Sequence, residues 1–444
     1  MLLGIDIGTS GTKAVLVDHE GAELWSAARP TPFAATATGV EADVEAVLAA
    51  VSGALADLGD RLAGVVAVGI AGLAESGAPL DAAGRPVGPV IAWHDRRGAE
   101  VVARLEERFD DGLSHAIGRR LRTVSSVAKL GWQAAHGSEA VRWWLGVPEL
   151  CLHRLTGERA TDFSLAARTG AYDVVRRAPV PGVPDALGLP EDVFPVPSPA
   201  GSTMGTVSAA GAAWSGLPVG IPVTVAGHDH LAGLVGSGAG AGDPGNSVGT
   251  TKKMVRRTGV LPDVRAALDR DAAVTVWPDG DGWAVLAGGA RAGLVLAAAG
   301  AALGGSPADL DALAAGAGTV GAAEWADALA EAVRSGRPHA ERLTPPVGPP
   351  GAVWNGVLLA LAARTWEAAG RVEAVAGPAR RLVVFGGGSR SRPWLEAKAA
   401  AGHLPVLRST AGEPVARGAA LFAGVAAGWW PSTGAAPRPA PTPV

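Results

Sequence analysis

Cysteine and lysine are almost missing from this chain of 444 residues. The single cysteine, Cys151, excludes both a disulfide framework and a metal site built from several cysteines. Lysine occurs at only five positions, and four of them, Lys13, Lys129, Lys252 and Lys253, lie inside or beside the motifs described below. The scarcity of lysine therefore makes these positions informative.

An excess of positive charge is also missing. Lysine and arginine together number 38 against 42 acidic residues, a net charge of −4. Because nucleic-acid-binding proteins usually carry a basic stripe, no nucleic-acid partner is expected. The N-terminus has no basic stretch followed by an apolar one, and the apolar run at residues 284–305 contains Arg291 and predicts a buried helix. We therefore expect a cytoplasmic protein without membrane contact.

The length predicts two or three domains, and the N-terminal pattern predicts the type of the first. Strands are predicted at residues 2–8, 13–18 and 22–28, followed by a helix at 41–58 and a strand at 64–70. This βββαβ order is the start of a ribonuclease-H-like domain.

A second domain is predicted after residue 240. We place the first domain at residues 1–240 and the second at 241–430, with a helix at 356–374 and a strand at 381–385 in the second. The last segment, 431–444, is rich in proline and alanine and predicts a disordered tail.

The first candidate motif lies between the first two predicted strands. It does not have the spacing of a Walker A loop, and a strand follows it where that loop would be followed by a helix. A turn of glycine and threonine presents N–H and hydroxyl donors to a phosphate, and Asp6 could hold Mg²⁺ through water. An ordinary hairpin is the alternative. The candidate phosphate-binding residues are Asp6, Gly8, Thr9, Ser10, Thr12 and Lys13.

The second candidate motif is residues 227–230, where Asp229 stands between His228 and His230 after an apolar strand. A carboxylate in this place can act as the general base for a hydroxyl group. A metal site formed by all three side chains and an incidental loop are the alternatives. Successive side chains of an extended stretch point to alternate sides, which disfavours the metal site.

Two further glycine-containing turns each follow an apolar strand. Residues 246–253 resemble the first motif, with Gly249 and Thr250 at the turn and Lys252 and Lys253 after it. Residues Gly386–Gly388 allow a ligand to approach the backbone closely. Each could be an ordinary turn, but the first motif and the turn at 246–253 together could hold a phosphate chain from both sides. The role of the two lysines stays open.

Taken in order, these motifs resemble those of the FGGY carbohydrate kinases, which belong to the superfamily of actin, hexokinase and the large heat-shock chaperones. The resemblance covers nearly the whole chain, and the stretch RLTGERATDFSLAARTG is its most specific part. The segments that carry it are residues 3–18, 125–132 with 150–174, 226–238, 245–251 and 385–423.

The resemblance implies an α/β fold of two ribonuclease-H-like domains around a central cleft for ATP and a sugar, with ATP and Mg²⁺ as cofactors. Asp229 would be the catalytic base and Asp6 would bind Mg²⁺ through water. The first phosphate turn would be formed by the residues given for the first motif, and the second by Gly249 and Thr250. Gly386, Gly387 and Gly388 would lie near the adenosine. The implied sugar contacts are Glu75, Trp93, Asp95, His228 and His230. The alternative for Glu75 is a solvated loop carboxylate. The alternative for Asp95 is a partner of Arg96 or Arg97.

The expected reaction is transfer of the γ-phosphate of MgATP to a terminal hydroxyl of a ketose similar to xylulose or fuculose. Ala74–Glu75 departs from the patterns of the xylulose and glycerol kinases, so a polyol or a sugar acid is an alternative acceptor. An actin-like ATPase and a catalytically silent sugar sensor are the alternatives outside the kinases. The resemblance also implies a homodimer, which no residue of the sequence itself indicates.

Overall fold

The computed structural model describes residues 1–137, 140–249, 252–288, 291–335 and 340–444. In this part of the chain, two large mixed sheets have helices packed against them, and smaller sheets lie beside the first.

Several of the strands are only two or three residues long and lie between loops. They are β1 Leu2–Ile7, β2 Gly11–Val17, β3 Glu23–Pro30, β4 Ala34–Ala35, β5 Val40–Ala42, β6 Ala67–Gly72, β7 Gly77–Leu80, β8 Val90–Ile91, β9 Trp143–Gly146, β10 Thr161–Asp162, β11 Tyr172–Asp173, β12 Ala178–Pro179, β13 Pro197–Ser198, β14 Gly205–Thr206, β15 Pro222–His228, β16 Gly245–Val248, β17 Lys252–Thr258, β18 Ala272–Val276, β19 Trp283–Gly288, β20 Leu382–Phe385, β21 Val406–Arg408 and β22 Thr442–Pro443.

The helices range from one turn to more than seven. They are α1 Val44–Leu58, α2 Ala99–Ala116, α3 Ser126–His136, α4 Val147–Thr156, α5 Phe163–Ala166, α6 Ala209–Ser215, α7 Asp229–Gly236, α8 Val264–Asp269, α9 Ala292–Ala302, α10 Pro307–Ala314, α11 Ala323–Ser335, α12 Pro350–Ala376, α13 Arg392–Ala401 and α14 Pro414–Ala426.

The N-terminal sheet has the strand order β14-β15-β6-β1-β2-β3. β1, β2 and β3 form an antiparallel meander, while β6 runs parallel to β1 and β15 parallel to β6. Every residue of β1 and β6 is buried, because both strands are central and covered on both faces. The predicted βββαβ order is confirmed.

The C-terminal sheet repeats this topology in the order β18-β19-β17-β16-β20-β21-β22. β16 pairs antiparallel with β17 and parallel with β20, as β1 does with β2 and β6. The turn after β16 is therefore the counterpart of the turn after β1. The predicted boundary at residue 240 lies between α7 and β16, and the independence of the two domains stays a prediction.

Helix α14 packs closely against the N-terminal sheet and α7. A Cβ atom added to Gly4 of β1 would lie 1.8 Å from the carbonyl oxygen of Ala416, and one added to Gly236 of α7 would lie 1.9 Å from that of Pro414. Any larger residue at these positions would force the backbones apart. The last helix is thereby fixed against the strand that leads to the first turn.

The prediction of a disordered tail is wrong. Strand β22 pairs with β21, and Trp430, Thr433 and Ala436 are buried. Proline-rich composition lowers the content of regular structure, but such a segment can still add an edge strand where a neighbouring strand has free hydrogen-bonding groups. The surface that receives the tail is formed by distant parts of the chain, which composition does not reveal.

The apolar run at 284–305 is also not one helix. Its first part continues β19 to Gly288, and α9 begins at Ala292. In the part of the chain described, no single helix is both long and apolar enough to cross a membrane; the bent pair α9 and α10 passes that test only by length and composition.

Candidate active site

A cavity of about 330 Å³ lies where the edges of the two large sheets meet. Six residues predicted from the sequence to bind ligands line it. They are Thr9, Glu75, Trp93, His228, Asp229 and His230. The structure thus brings together segments that are more than 200 residues apart in sequence.

Asp229 stands at the point where β15 ends and α7 begins. The register of β15 against β6 shifts between Val225 and Gly227, and Gly227 has a φ of 96°. A bulge next to a strand end redirects the chain, and here it directs Asp229 to the cavity. Its carboxylate also lies at the N-terminus of α7, where the helix dipole favours negative charge.

The carboxylate of Asp229 has few hydrogen-bond donors. Its Oδ1 accepts a hydrogen bond from the backbone N–H of His230 at 2.6 Å, and His228 Nε2 lies 3.2 Å from the same oxygen. Burial raises the pKa of Asp229 to about 7, although that N–H bond opposes the shift. A pKa near neutrality suits a general base.

The three side chains at 228–230 converge. Their candidate ligand atoms all lie within 4.8 Å of one another, because the chain turns into α7 at Asp229 instead of staying extended. The sequence argument that these side chains point to alternate sides was therefore wrong. The cations Arg168 and Lys253 act on the Asp229 carboxylate, and they disfavour a further cation beside it.

The stretch after α4 holds the backbone of this turn in place. Asp162 caps α5 and accepts a hydrogen bond from Ser164 Oγ at 2.6 Å. Ser164 Oγ in turn accepts the backbone N–H of His228 at 3.0 Å. These residues do not line the cavity; they hold the backbone that carries Asp229.

Glu75 lies between two arginines. It accepts a hydrogen bond from Arg119 Nη1 at 2.8 Å and another from Arg168 Nη2. Burial would raise the pKa of Glu75, but Arg168 and Arg119 hold it below its usual value. Glu75 also has a φ of 72°, a left-handed conformation that is uncommon outside glycine. It lines the cavity as an ionised residue and not as a solvated loop carboxylate.

Trp93 and Asp95, two residues apart, have different roles. Trp93 lines the cavity and donates from Nε1 to Thr9 Oγ1 at 2.9 Å. Asp95 accepts hydrogen bonds from Arg97 Nε at 3.0 Å and from the backbone N–H of Val40 at 2.6 Å, and it does not line the cavity. The structure therefore gives Asp95 the alternative role, that of an arginine partner.

The first predicted phosphate turn joins β1 and β2, with Gly8 N–H donating to the Gly11 carbonyl at 3.1 Å. Thr9 is the residue of this turn that lines the cavity. Thr12 is fully buried and shares a hydrogen bond with Thr31 at 3.2 Å, so it supports the turn and does not line the cavity. The backbone of Ser10 also contacts Thr31.

Asp6 and Lys13 face each other across the hairpin. Lys13 Nζ lies 2.5 Å from Glu413 Oε2, so its charge is already paired at the start of α14. Asp6 Oδ1 is buried and has no hydrogen-bond partner in the part of the chain described. Burial raises the pKa of Asp6 to about 7, although Lys13 opposes the shift. An orphaned carboxylate oxygen beside a phosphate turn fits the water shell of Mg²⁺.

The second phosphate turn and the glycine turn lie against each other. A Cβ atom on Gly386 would lie 3.0 Å from the carbonyl oxygen of Val248, directly before Gly249. Gly387 has open space where a side chain would be, whereas Gly388 packs on Trp394. A cavity of about 740 Å³ that includes Arg390 begins beside this turn. Thr250, predicted as part of the second phosphate turn, lies outside the described residues.

Comparison with known proteins agrees with this geometry. The model of the N-terminal domain of the FGGY family of carbohydrate kinases matches residues 1–236, and that of the C-terminal domain matches residues 325–427. The chain belongs to the FGGY family of carbohydrate kinases. The resemblance and the two-domain α/β fold expected from the motifs are confirmed.

Relatives of this FGGY chain include an L-fuculokinase from Salmonella typhi, 31% identical over 275 residues that cover 58% of this chain and 57% of the relative. Xylulose kinase from Escherichia coli is 34% identical over 250 residues, covering 54% and 50%. The alignments thus span about half the length of these curated relatives.

Solved structures share the fold over the full length. Xylulose kinase from Rhodospirillum rubrum has a TM-score of 0.77 at 23% identity, covering 100% of this chain and 93% of that one. A ligand-bound xylulose kinase from Lactobacillus acidophilus has a TM-score of 0.82 at 17% identity, covering 97% and 90%.

Of three cations in this FGGY site, sequence reasoning missed Arg119 and Arg168 and left the role of Lys253 open. Arg119, Arg168 and Lys253 line the cavity around Glu75 and Asp229. Arg168 lies in the most specific family stretch, and Lys253 is marked by the rarity of lysine, so two of them had a signal. Arg119 follows helix α2 in a stretch without a recognisable motif, and only folding brings it to Glu75.

Proposed function

We propose that this chain is an ATP-dependent carbohydrate kinase, which transfers the γ-phosphoryl group of ATP to a hydroxyl group of a sugar or sugar derivative. The observation that carries the proposal is the position of Asp229: a half-buried carboxylate at a helix N-terminus, in a cavity that also contains Thr9 of the first phosphate turn. Membership of the FGGY family supports the same activity.

In this mechanism Asp229 accepts the proton of the acceptor hydroxyl. The hydroxyl oxygen forms a bond to the γ-phosphorus, the bond from that phosphorus to the β,γ-bridging oxygen breaks, and ADP leaves. Such transfers pass through a loose transition state, so positioning and charge stabilisation supply most of the rate enhancement. His228 and His230 flank the base, and Ser164 holds the backbone N–H of His228.

Asp6 would hold Mg²⁺ through water, and the ion would neutralise charge on the phosphates. The turns at Gly8–Thr9 and Gly249–Thr250 would bind the phosphate chain from the two domains. Gly386–Gly388 would lie near the adenosine, a position supported by the open space at Gly387 and the neighbouring cavity.

The expected acceptor hydroxyl is terminal. Relatives named L-fuculokinase and xylulose kinase support a ketose as the acceptor. Trp93 and the two histidines would contact it. Glu75 is held by two arginines, which leaves those arginines, as well as the carboxylate, to face a substrate.

The test is a coupled ADP-release assay with MgATP and a panel of ketoses, polyols and sugar acids, with the phosphorylated product identified by mass spectrometry. We expect ADP release only with an acceptor, and a loss of about 10²–10⁴ in rate for Asp229→Asn. Asp192→Asn is the matched control, since Asp192 is exposed and pairs with Arg142 away from the cavity. Acceptor-independent ADP release, or full activity of Asp229→Asn, would contradict the proposal and favour an ATPase or a sugar sensor.

A further inference from the structure

The cavity around Asp229 carries a strong local excess of positive charge. Seven of its lining residues within the described ranges are arginine or lysine, and three are carboxylic acids. The chain as a whole has a net charge of −4, so this excess is a property of the cavity and not of the composition. A low-dielectric cleft lined by one sign of charge attracts ligands of the opposite sign.

The innermost cations are only partly neutralised by the protein. The single carboxylate of Glu75 is shared between Arg119 and Arg168. The guanidinium group of Arg168 donates no other hydrogen bond within the described ranges, and the Nε atoms of both arginines are buried without a partner. Arg119 and Arg168 are 6% and 9% exposed. Buried charges are costly unless an opposite charge compensates them, so this group lacks one anion.

Lys253 is the third cation of this group, and the carboxylate of Asp229 offsets part of the charge of Arg168 and Lys253. Its ammonium group donates to the carbonyl oxygen of Gly288 at 3.0 Å, which is a neutral acceptor. Burial and the nearby Arg168 lower the pKa of Lys253 to about 8, the direction expected of an ammonium group that has positive neighbours.

Lys253 follows the second phosphate turn, but the charged side chains that act on it most strongly are Arg168 and Glu75. The phosphates of ATP do not account for the three cations Arg119, Arg168 and Lys253. They line the cavity together with Glu75 and Trp93, the residues expected to contact the acceptor. Of the first phosphate turn, only Thr9 lines it, and the lysine of that hairpin, Lys13, is paired with Glu413. The excess charge therefore lies on the acceptor side of the site.

We infer that the acceptor substrate is an anionic sugar derivative, a polyhydroxy carboxylate, whose carboxylate is bound by Arg168 and Lys253 while a hydroxyl group faces Asp229. The inference rests on the proposed kinase activity and replaces the neutral ketose, which the names of the relatives support, by a carboxylate-bearing acceptor. Guanidinium and ammonium groups form strong, charge-assisted hydrogen bonds with carboxylates. A neutral ketose of the same length would leave three cations facing the two carboxylates of Glu75 and Asp229, with one positive charge uncompensated.

The experiment compares acceptors with the same carbon skeleton. D-Gluconate is paired with D-glucitol and D-xylonate with xylitol, and uronates, D-xylulose and L-fuculose complete the panel. We expect kcat/KM for an acid to exceed that of its matched polyol by about 100-fold, because a hydrogen bond to a charged group is typically strong.

Lys253→Met should raise KM for the acid by about 10- to 100-fold and so lower the ratio of kcat/KM for the acid to that for its matched polyol. Lys253→Arg keeps the charge and should keep the preference for the acid. Thermal unfolding shows whether each variant is folded. Calorimetric binding of the acids to the unaltered protein without ATP gives a readout that depends neither on the variants nor on catalysis.

The outcomes separate the two proposals. Turnover of ketoses or polyols with no gain for acids would overturn the inference and leave the kinase proposal standing. Acid binding that Lys253→Met weakens, without acceptor-dependent ADP release, would support anion recognition and overturn the kinase proposal. An acid preference unchanged in a folded Lys253→Met variant, or no binding of any acid, would overturn the assignment of the cationic group.

Discussion

Replacing Asp229 by asparagine should separate activity from stability. The change keeps the size of the side chain and an oxygen that can accept the N–H of His230, but it removes the base. We expect the rate to fall by about 10²–10⁴. The folded chain should not be weakened, because the ionised carboxylate is itself unfavourable in this cavity.

The direction of the stability change follows from the pKa of Asp229. Burial raises the pKa of Asp229 from 3.8 to about 7, so the folded state favours the protonated form. The stability that this proton provides is present below about pH 4 and is lost as the pH rises through 7. Above pH 7 the ionised carboxylate costs the folded protein at most about 4 kcal/mol, since each pKa unit corresponds to about 1.4 kcal/mol. Asparagine removes this cost.

Urea unfolding at pH 8 and pH 4.5 measures this effect, with Asp192→Asn as the surface control. The midpoint of Asp229→Asn should be higher than that of the unaltered chain at pH 8, and the difference should shrink at pH 4.5. In the unaltered chain, kcat/KM should rise with pH and level off above about 7, because the base must be ionised. A lower midpoint for Asp229→Asn at pH 8 would refute the burial argument, and retained activity would refute the assignment of the base.

Three further predictions concern the turns and the packing. Asp6→Asn should raise the Mg²⁺ concentration needed for half-maximal ADP release, measured by Mg²⁺ titration; an unchanged requirement would exclude Asp6 as the Mg²⁺ residue. Lys398→Met should raise the unfolding midpoint, because the ammonium group is buried without a hydrogen-bond partner in the described part of the chain and burial lowers its pKa; the gain should shrink as the pH rises towards 10, and a loss of stability would contradict it. Gly236→Ala should destabilise the chain by about 1–3 kcal/mol or more in chemical denaturation, since the new Cβ atom would meet the carbonyl oxygen of Pro414, whereas Gly370→Ala, which meets nothing within 4 Å in an exposed part of α12, should be neutral or stabilising.

The parts of the fold that the sequence predicts well depend on local patterns. The β1–β2 hairpin, helix α1 and strand β6 follow from runs of apolar residues broken by glycine-containing turns. The order of these elements also indicated the ribonuclease-H-like topology. Where two elements share one apolar run, as at 284–305, the pattern does not show the break before Ala292.

The site residues divide in the same way into those that a local pattern predicts and those that only folding brings together. Asp229 and Thr9 were predicted because each lies in a motif of a few adjacent residues. Asp95 was predicted from the same kind of signal, but its partner Arg97 determines its role. Arg119 could not be predicted, because its contact with Glu75 joins residues 44 positions apart.

The sequence by itself determined the family, the hairpins that carry the phosphate turns and the carboxylate that would act as base, because each of these depends on neighbouring residues. The tertiary structure alone decided the charge of the cavity and the packing of the tail. Arg119, Arg168 and Lys253 come from three separate elements, and the surface beneath residues 431–444 is formed by strands and helices far from it in sequence. Electrostatic interactions and burial depend on distance in space, which a linear pattern does not contain.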